Sequence, residues 1–192
     1  MDDKVLIKDL IEKARIAQQE LATYSQEELN AIVKVIGKTV YDNAELLAKM
    51  AVEETGMGVY EDKVAKNKGK SKAIYNHIKD KKSVGIIDSD EEKGLTFVAK
   101  PIGVIGAATP TTNPIVTPMC NAMFALKGGN SIIVSPHPRS KNCSTYTVEL
   151  INAEMKKQGV RCPENAIQIL SEPTIAASAE LMKSVDVVLA TG

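Results

Sequence analysis

Hydrophobic residues follow a helical period in the first half of the chain. They recur every three or four positions over residues 6–21 and again over residues 29–40. The first run comprises Leu6, Leu10, Ala14, Ala17 and Leu21. This is the period of a helix that buries one face. Ser25, with Glu28 three residues later, has the spacing of a capping box and predicts the start of the second helix.

Two further helices are predicted between residues 42 and 78. Asp42 and Glu45 repeat the capping spacing in front of an apolar run, and Gly56 follows that run as a helix-ending glycine does. Residues 60–78 form another helical stretch, although Gly69 lies inside it. Residues 1–82 are therefore predicted to form a helical N-terminal region.

The pattern changes at residue 83. Two short β-like runs, residues 84–87 and 95–98, flank an acidic turn at residues 88–92. Beyond them, short apolar runs alternate with helical patterns. We predict strands at residues 104–108, 131–134, 166–170 and 185–190, and helices at residues 115–126, 144–157 and 175–183. Apolar strands spaced by helices are typical of a parallel sheet covered on both faces. The fold class predicted is α/β, with a Rossmann-like sheet after the helical region.

No internal repeat and no linker rich in proline or glycine divides the chain. We therefore expect residues 1–192 to form one unit with a helical part (1–82), two short strands (83–100) and a βα nucleotide-binding part (101–192). The sequence stops at Thr191 and Gly192, directly after a predicted strand. Ligands bind at such strand ends in open α/β sheets, so we expect a longer protein of which this is the N-terminal portion.

Composition narrows the class of protein. The chain has 24 Lys+Arg and 24 Asp+Glu, and 4% of its residues are aromatic, which argues against a nucleic-acid partner. No apolar run has the length of a membrane span, and the charged start is not a signal peptide. Cys120, Cys143 and Cys162 form no CxxC pair, and His77 and His137 lie far apart. We expect a cytoplasmic protein with no metal site.

A basic stretch lies between Lys63 and Lys82, where eight of twenty residues are lysine. Its simplest interpretation is a solvated helix face. Docking of CoA phosphates and docking of a nucleic acid are the alternatives. Nucleic acid is the weaker of these, because Tyr75 is the only aromatic residue among the lysines.

The segment KPIGVIGAATPTTNP, residues 100–114, carries the candidate chemistry. Its strand leads into a loop in which Pro110 and Pro114 restrict the backbone around Thr111, Thr112 and Asn113. A rigidly held asparagine amide can stabilise an oxyanion in acyl chemistry. The alternative is that these polar side chains only cap the helix that follows.

Three motifs in this half, KPIGVIGAATPTTNP, KGGNSIIVSPHPRSK and DVVLATG, resemble the CoA-acylating branch of the aldehyde dehydrogenase superfamily. The resemblance extends upstream through AVEETGMGVYEDKVAKN and so covers nearly the whole chain. Within that branch the sequence is most similar to the CoA-dependent succinate-semialdehyde dehydrogenases of anaerobic bacteria. It also resembles the acetaldehyde dehydrogenase part of bifunctional aldehyde-alcohol dehydrogenases. An aldehyde-dehydrogenase-like fold, truncated before the catalytic domain, is implied.

The resemblance implies an oxidoreductase that interconverts aldehyde, CoA and NAD(P)+ with acyl-CoA and NAD(P)H. Asn113 matches the asparagine that supports the oxyanion. Three groups match the cofactor groove: Ala108, Thr109, Pro110, Thr111 and Thr112 on the nicotinamide side, Ser135, His137 and Pro138 near the adenine ribose, and Thr191 and Gly192 at the pyrophosphate. The motif at Ser135 departs from that of ordinary aldehyde dehydrogenases, so NAD and NADP both remain candidates.

The nucleophilic cysteine of the family lies downstream of the segment that this chain covers, and none of the three cysteines matches its motif. We therefore expect these 192 residues to bind cofactor weakly and to catalyse nothing alone. Succinate semialdehyde is the first candidate substrate, with acetaldehyde or another aldehyde, such as a phosphorylated semialdehyde, as alternatives. The alternative from another class is a truncated, non-catalytic homologue that binds only nucleotide or a partner. Because strands such as 84–87 and 95–98 help form the dimer in this family, a homodimer or higher oligomer is also implied.

Overall fold

A parallel sheet of four strands organises the second half of the chain, and helices from both halves cover it. The computed structural model describes residues 2–191, in which there are seven α-helices and six strands. The helices are α1 (Asp3–Leu21), α2 (Gln26–Asp42), α3 (Ala44–Thr55), α4 (Tyr60–Ile78), α5 (Val116–Lys127), α6 (Lys141–Lys157) and α7 (Ile175–Ser184). The strands are β1 (Gly85–Asp90), β2 (Leu95–Ala99), β3 (Val104–Thr109), β4 (Ser131–Pro136), β5 (Ile167–Ile169) and β6 (Val187–Ala190).

The sheet has the strand order β5-β4-β3-β6, and all three strand pairs are parallel. Alternate residues of β4 belong to two separate cores. Ile133 packs with residues of α1 and α7, whereas Ile132 and Val134 pack in the larger core with α2, α5 and α6. This alternation follows from the two-residue period of a strand. The predicted Rossmann-like sheet, covered on both faces, is confirmed.

The predictions for the four N-terminal helices hold with two corrections. In α1, Ile7 and Ile11 are buried in place of the predicted Leu6 and Leu10, which are half-buried. The buried stripe continues from Ala14 toward the N-terminus in steps of three and four, and those steps land on the isoleucines.

The second correction concerns the start of α3. The capping box of Ser25 and Glu28 is formed as predicted. Asp42, however, is the last residue of α2, and its carboxylate accepts a hydrogen bond from Lys38. The N-cap of α3 is Asn43, which makes no side-chain cap bond, so the predicted capping role of Asp42 is wrong.

Strands β1 and β2 form an antiparallel hairpin whose residues are largely exposed. β1 continues to Asp90, so the first acidic residues lie in the strand, and the predicted turn is confined to residues 91–94. The hairpin exposes Ile86 (63%), Phe97 (47%) and Val98 (52%). This apolar surface has no cover from the described part of the chain.

The amino edge of the sheet is held by side chains that bind backbone groups. Asp186, which precedes β6, accepts hydrogen bonds from the Val104 N–H at 2.8 Å and from the Arg15 guanidinium at 3.0 and 3.2 Å. Asn130 Oδ1 accepts two consecutive backbone N–H groups, including that of Gly103 at 3.0 Å. Gly103 has φ +139°, and a Cβ there would lie 2.2 Å from Asp186 Oδ2. Only glycine fits beside this carboxylate.

Two negative findings apply to the described residues. No helix among them has the length and apolarity needed to cross a membrane. Their His, Cys, Asp and Glu side chains form no cluster of three or more that could hold a metal ion.

Candidate functional site

The carboxyl edge of the sheet brings together residues from three separate motifs. Ala108 of β3 pairs with Ser135 on one side and with the end of β6 on the other, and its carbonyl accepts the Thr191 N–H at 3.1 Å. The Thr109 carbonyl accepts the N–H of His137 at 3.1 Å. The structure therefore places these five predicted cofactor-binding residues side by side. Gly192, also predicted, lies outside the described residues.

Thr109 carries a polar group that no neighbour satisfies. The residue is 5% exposed, and its hydroxyl has no hydrogen-bond partner within residues 2–191. An unpaired buried hydroxyl destabilises a fold by about 1–3 kcal/mol unless a ligand or water completes it. Its position at the end of β3, where open α/β sheets bind ligands, is consistent with a binding role.

The loop after β3 presents Asn113 without using its side chain as a helix cap. α5 begins at Val116, and its N-cap, Ile115, makes no side-chain cap bond. Asn113 Nδ2 instead donates to Thr112 Oγ1 at 3.3 Å. Its Oδ1 accepts a hydrogen bond from Lys66 Nζ at 3.1 Å. The capping alternative is therefore wrong for Asn113.

Two lysines of α4 reach this loop. Lys63 is 8% exposed, and its Nζ donates to the Thr112 carbonyl at 3.2 Å. Lys66 follows three residues later on the same helix face and contacts Asn113. Burial, and then the nearby Lys66 charge, lower the pKa of Lys63. A solvated helix face, the simplest interpretation of the basic stretch, is therefore wrong for Lys63. A surface cavity of about 250 Å³ beside the loop is lined by both lysines, Gly58 and Thr112.

The segment after β4 forms the other side of this edge. Ser135 Oγ lies 2.8 Å from Ser178 Oγ of α7. His137 is exposed, and its Nδ1 accepts the Arg139 N–H at 3.1 Å, which leaves the proton of the neutral ring on Nε2. Pro138, exposed as well, opens a short 3-10 helix (Pro138–Ser140) that leads into α6. A polar donor and an apolar ring thus lie at this edge of the sheet.

The N-terminus of α6 lies close to this segment but is already occupied. Glu54 at the end of α3 accepts the N–H groups of Asn142 at 2.9 Å and Cys143 at 2.7 Å. A carboxylate at a helix N-terminus uses the donors that would otherwise attract a phosphate. The sequence prediction started α6 at Ser144 and missed this contact, because Glu54 is nearly ninety residues away in the chain.

None of the three cysteines has the surroundings of a nucleophile. Burial raises the pKa of Cys120 to about 11 and that of Cys162 to about 12. Burial also raises the pKa of Cys143, and the Glu54 carboxylate raises it further. Thiols with raised pKa values stay protonated at neutral pH and react slowly. These thiols therefore bring no nucleophile to the carboxyl edge.

Comparison with known sequences identifies the family to which the chain is similar. The family model described as "Aldehyde dehydrogenase family" matches residues 2–192. The succinate-semialdehyde dehydrogenase (acetylating) of Clostridium kluyveri is 62% identical over 192 residues, which are 100% of this chain and 42% of that protein. A sulfoacetaldehyde dehydrogenase of an Acholeplasma species is 44% identical over 97% of this chain and 39% of its own length. The aldehyde-alcohol dehydrogenase of Clostridium acetobutylicum is 41% identical over 97% of this chain and 22% of its own length.

Solved structures extend the likeness to three dimensions. A probable aldehyde dehydrogenase of Listeria monocytogenes superposes with a TM-score of 0.94 at 42% identity, covering 100% of this chain and 43% of the other. A propionaldehyde dehydrogenase of Rhodopseudomonas palustris, with bound CoA and an acylated cysteine, has a TM-score of 0.80 at 34% identity. The match covers 97% of this chain and 42% of the other. An engineered glycolyl-CoA reductase with bound NADP+ has a TM-score of 0.80 at 33% identity, and the match covers 97% of this chain and 42% of the other. The chain spans about two fifths of the length of these structures.

Proposed function

This chain belongs to the aldehyde dehydrogenase family, and from that premise we propose that it supplies the nucleotide-binding part of a CoA-acylating aldehyde dehydrogenase. The proposed reaction converts an aldehyde, CoA and NAD(P)+ into an acyl-CoA, NAD(P)H and a proton. The C. kluyveri relative is a succinate-semialdehyde dehydrogenase of the acetylating kind, which makes succinate semialdehyde the first candidate substrate. Acetaldehyde is the alternative suggested by similarity to an aldehyde-alcohol dehydrogenase.

The observation that carries this proposal is the arrangement of the carboxyl edge. The buried Thr109 hydroxyl lacks a partner within the described residues, and the Asn113 amide is held outside α5 with its oxygen engaged by Lys66. Open α/β sheets bind dinucleotides at the carboxyl ends of their strands, which is where Thr109 lies. Acyl chemistry needs a fixed N–H donor beside the reacting carbon. Thr109 and Asn113 meet these two conditions within five residues, at the end of β3 and in the loop after it.

The chain's own residues have two tasks in the proposed mechanism. Residues 108–112, Ser135, His137 and Pro138 bind and orient the coenzyme, which when bound accepts a hydride from the substrate. Asn113 Nδ2 donates to the oxygen of the aldehyde as negative charge develops on it. The nucleophilic thiolate is assigned to none of Cys120, Cys143 and Cys162, because all three have raised pKa values. NAD and NADP remain alternatives, and CoA is the acyl acceptor.

We also propose a division of the chain into three parts and a cytoplasmic location for the protein. Residues 1–82 form the helical part, 83–100 the oligomerisation hairpin and 101–192 the nucleotide-binding part. The three free thiols are consistent with a reducing cytoplasm.

We also propose self-association through the β1–β2 hairpin, whose apolar side chains are exposed. Phe97→Ser is expected to weaken association while leaving the free energy of unfolding of the monomer nearly unchanged, because Phe97 is 47% exposed. Sedimentation velocity on wild type and variant measures this, with exposed Phe124→Ser on α5 as the matched control. A wild type that sediments as a monomer at micromolar concentration would show that the hairpin does not mediate assembly.

The reaction is tested on the polypeptide as its native cell makes it, with its intact mass measured alongside. Oxidation of NADH and NADPH is followed with succinyl-CoA, with acetyl-CoA and without either. We expect turnover that requires an acyl-CoA and is faster with succinyl-CoA. Faster turnover with acetyl-CoA would favour the alternative substrate. No turnover with either thioester, together with tight nucleotide binding, would favour a non-catalytic homologue instead.

A further inference from the structure

The orientation of the Asn113 amide decides whether it can serve the proposed reaction. A carboxamide has a donor end and an acceptor end, and only the donor end stabilises an oxyanion. The backbone of the loop, however rigid, leaves the side-chain amide free to turn over. A further group has to select the orientation.

Lys66 makes this selection. Its ammonium carries three donors and no acceptor, so it binds the oxygen end of an amide and never the nitrogen end. The 3.1 Å contact between Lys66 Nζ and Asn113 Oδ1 therefore directs Nδ2 away from α4. Nδ2 makes one long contact, 3.3 Å to Thr112 Oγ1, and a nitrogen with two hydrogens retains one for another acceptor.

Lys63 holds the backbone under the same side chain. Its buried arm brings Nζ to the Thr112 carbonyl at 3.2 Å, one residue before Asn113. The arm passes over Gly58, whose φ is +81°, and a Cβ at that glycine would lie 3.0 Å from Lys63 Cε. Because Gly58 leaves this space, a lysine from α4 can be buried against the loop.

We propose, on the basis of the function proposed above, that Lys63 and Lys66 form a lysine clamp that positions Asn113 for catalysis. Lys66 fixes the flip state of the amide and polarises it, which makes its N–H a stronger donor. Lys63 fixes the position of the loop backbone through its hydrogen bond to the carbonyl of Thr112. Both act through Asn113 and are positioning residues.

The geometry favours this role over a surface anion site. Each ammonium already binds a loop oxygen, so an incoming anion competes with an existing hydrogen bond. Lys63 is also nearly excluded from solvent, and its lowered pKa reflects that burial. α5 holds the loop only through the backbone, where the Thr117 N–H donates to the Asn113 carbonyl at 3.2 Å, and this contact does not orient the side-chain amide.

The test compares Lys66→Met, Lys66→Arg and a control in the natively produced polypeptide, with acyl-CoA-driven NAD(P)H oxidation as the readout. Lys66→Met is expected to lower kcat by about 10- to 100-fold, less than loss of the donor itself. KM for nucleotide and acyl-CoA is expected to stay within about twofold, because neither binds Lys66 in this account. Lys66→Arg is expected to keep most of the wild-type kcat. Lys68→Met, which removes only a surface ion pair with Glu45, leaves kcat unchanged.

A second readout needs no turnover. The side-chain amide of Asn113 in the 192-residue chain is observed by nitrogen-15 NMR and assigned with Asn113→Asp. Lys66→Met is expected to shift this resonance and to speed exchange between its two amide protons, whereas Lys68→Met does neither. Equal kcat for wild type and Lys66→Met, or an unmoved Asn113 resonance, would overturn the clamp. A wild type that turns over no acyl-CoA would instead overturn the proposed function, and the NMR comparison would still decide the clamp.

Discussion

The polar side chains around β3 are paired differently at the two edges of the parallel sheet. At the amino edge, Asp186 and Asn130 together accept three backbone N–H groups, and Arg15 neutralises the carboxylate. At the carboxyl edge, the buried Thr109 hydroxyl has no partner within residues 2–191. Among the same residues, Asn113 Nδ2 makes only a long hydrogen bond, 3.3 Å to Thr112 Oγ1. β3 thus begins beside side chains whose polar groups are paired and ends at the unpaired Thr109 hydroxyl. Among the described residues, the buried Ser131 hydroxyl at the start of β4 is the exception at the amino edge, since it too has no partner.

The difference separates structural from functional polar residues. A saturated network stabilises the fold because each buried donor finds an acceptor. An unpaired buried hydroxyl destabilises the fold, and at the carboxyl end of a strand, where open α/β sheets bind ligands, a ligand can supply the missing partner. We therefore assign the Asp186 and Asn130 network to stability and the carboxyl edge to binding. Substitutions at the two edges are expected to change different measurements.

Removal of the amide donor gives the largest expected effect. Asn113→Ala is predicted to lower kcat by about 10²- to 10³-fold, because an oxyanion loses a preorganised N–H. The free energy of unfolding is expected to change by less than about 0.5 kcal/mol, since the side chain is partly exposed and caps no helix. Acyl-CoA-driven NAD(P)H oxidation and urea denaturation measure the two effects. Asn113→Asp, similar in shape but lacking the donor, should be about as inactive. Retention of activity by Asn113→Asp would remove the oxyanion role.

Substitution at the amino edge should instead lower the free energy of unfolding and leave turnover unchanged. Gly103→Ala is predicted to lower the free energy of unfolding by about 2–3 kcal/mol, because φ +139° strains alanine and its Cβ meets Asp186. Turnover per folded molecule should be unchanged. Gly69→Ala is the matched control, since that glycine lies inside α4 with open space around it. There we expect stabilisation of about 0.5–1 kcal/mol. A Gly103→Ala protein as stable as wild type would contradict the saturated-network assignment.

The smallest expected effect is a pH dependence at the same amino edge. The Arg15 hydrogen bond, and then the Val104 N–H, hold the pKa of Asp186 below its ordinary value of 3.8. A lowered carboxyl pKa stabilises the fold above pH 3.8, and this contribution is lost as pH falls through the lowered value. Asp186→Asn should therefore cost less than about 1 kcal/mol at pH 7. The difference between variant and wild type should shrink on acidification to pH 3, as urea denaturation at both pH values measures. A constant difference would assign the effect to packing instead of charge.

The sequence predicted the parts of the fold that depend on local pattern. Strands β3 and β4 appear in the sequence as unbroken apolar runs because both of their faces are buried. Ser25 with Glu28, and Gly56 with its φ of +65°, are local signals at helix ends. Asn113 could be singled out for a similar reason, because the prolines around it lie in the same short segment.

The lysine clamp could not be predicted in this way, because its contacts join residues nearly fifty positions apart. A partial signal exists in α4. Lys63, Asn67 and Ser71 recur every four positions and are all buried, so the buried face of this helix is largely polar. Asn67 Nδ2 donates to the Ala44 carbonyl and Ser71 Oγ to its own helix and to Met119. A search for hydrophobic periodicity overlooks such a stripe, and Lys63, the most buried lysine of α4, is then predicted to be solvated.

A nucleotide titration of the 192-residue chain, followed by backbone amide NMR, tests the contrast between the two edges most directly. Binding with a Kd near 1 mM suffices for this measurement when NAD+ or NADP+ is added to about 10 mM. We predict shifts at Thr109, Asn113 and His137 of the carboxyl edge, with Gly103 and Asn130 at the amino edge unmoved. Shifts confined to the amino edge, or no shift with either nucleotide, would contradict the assignment of the carboxyl edge to binding.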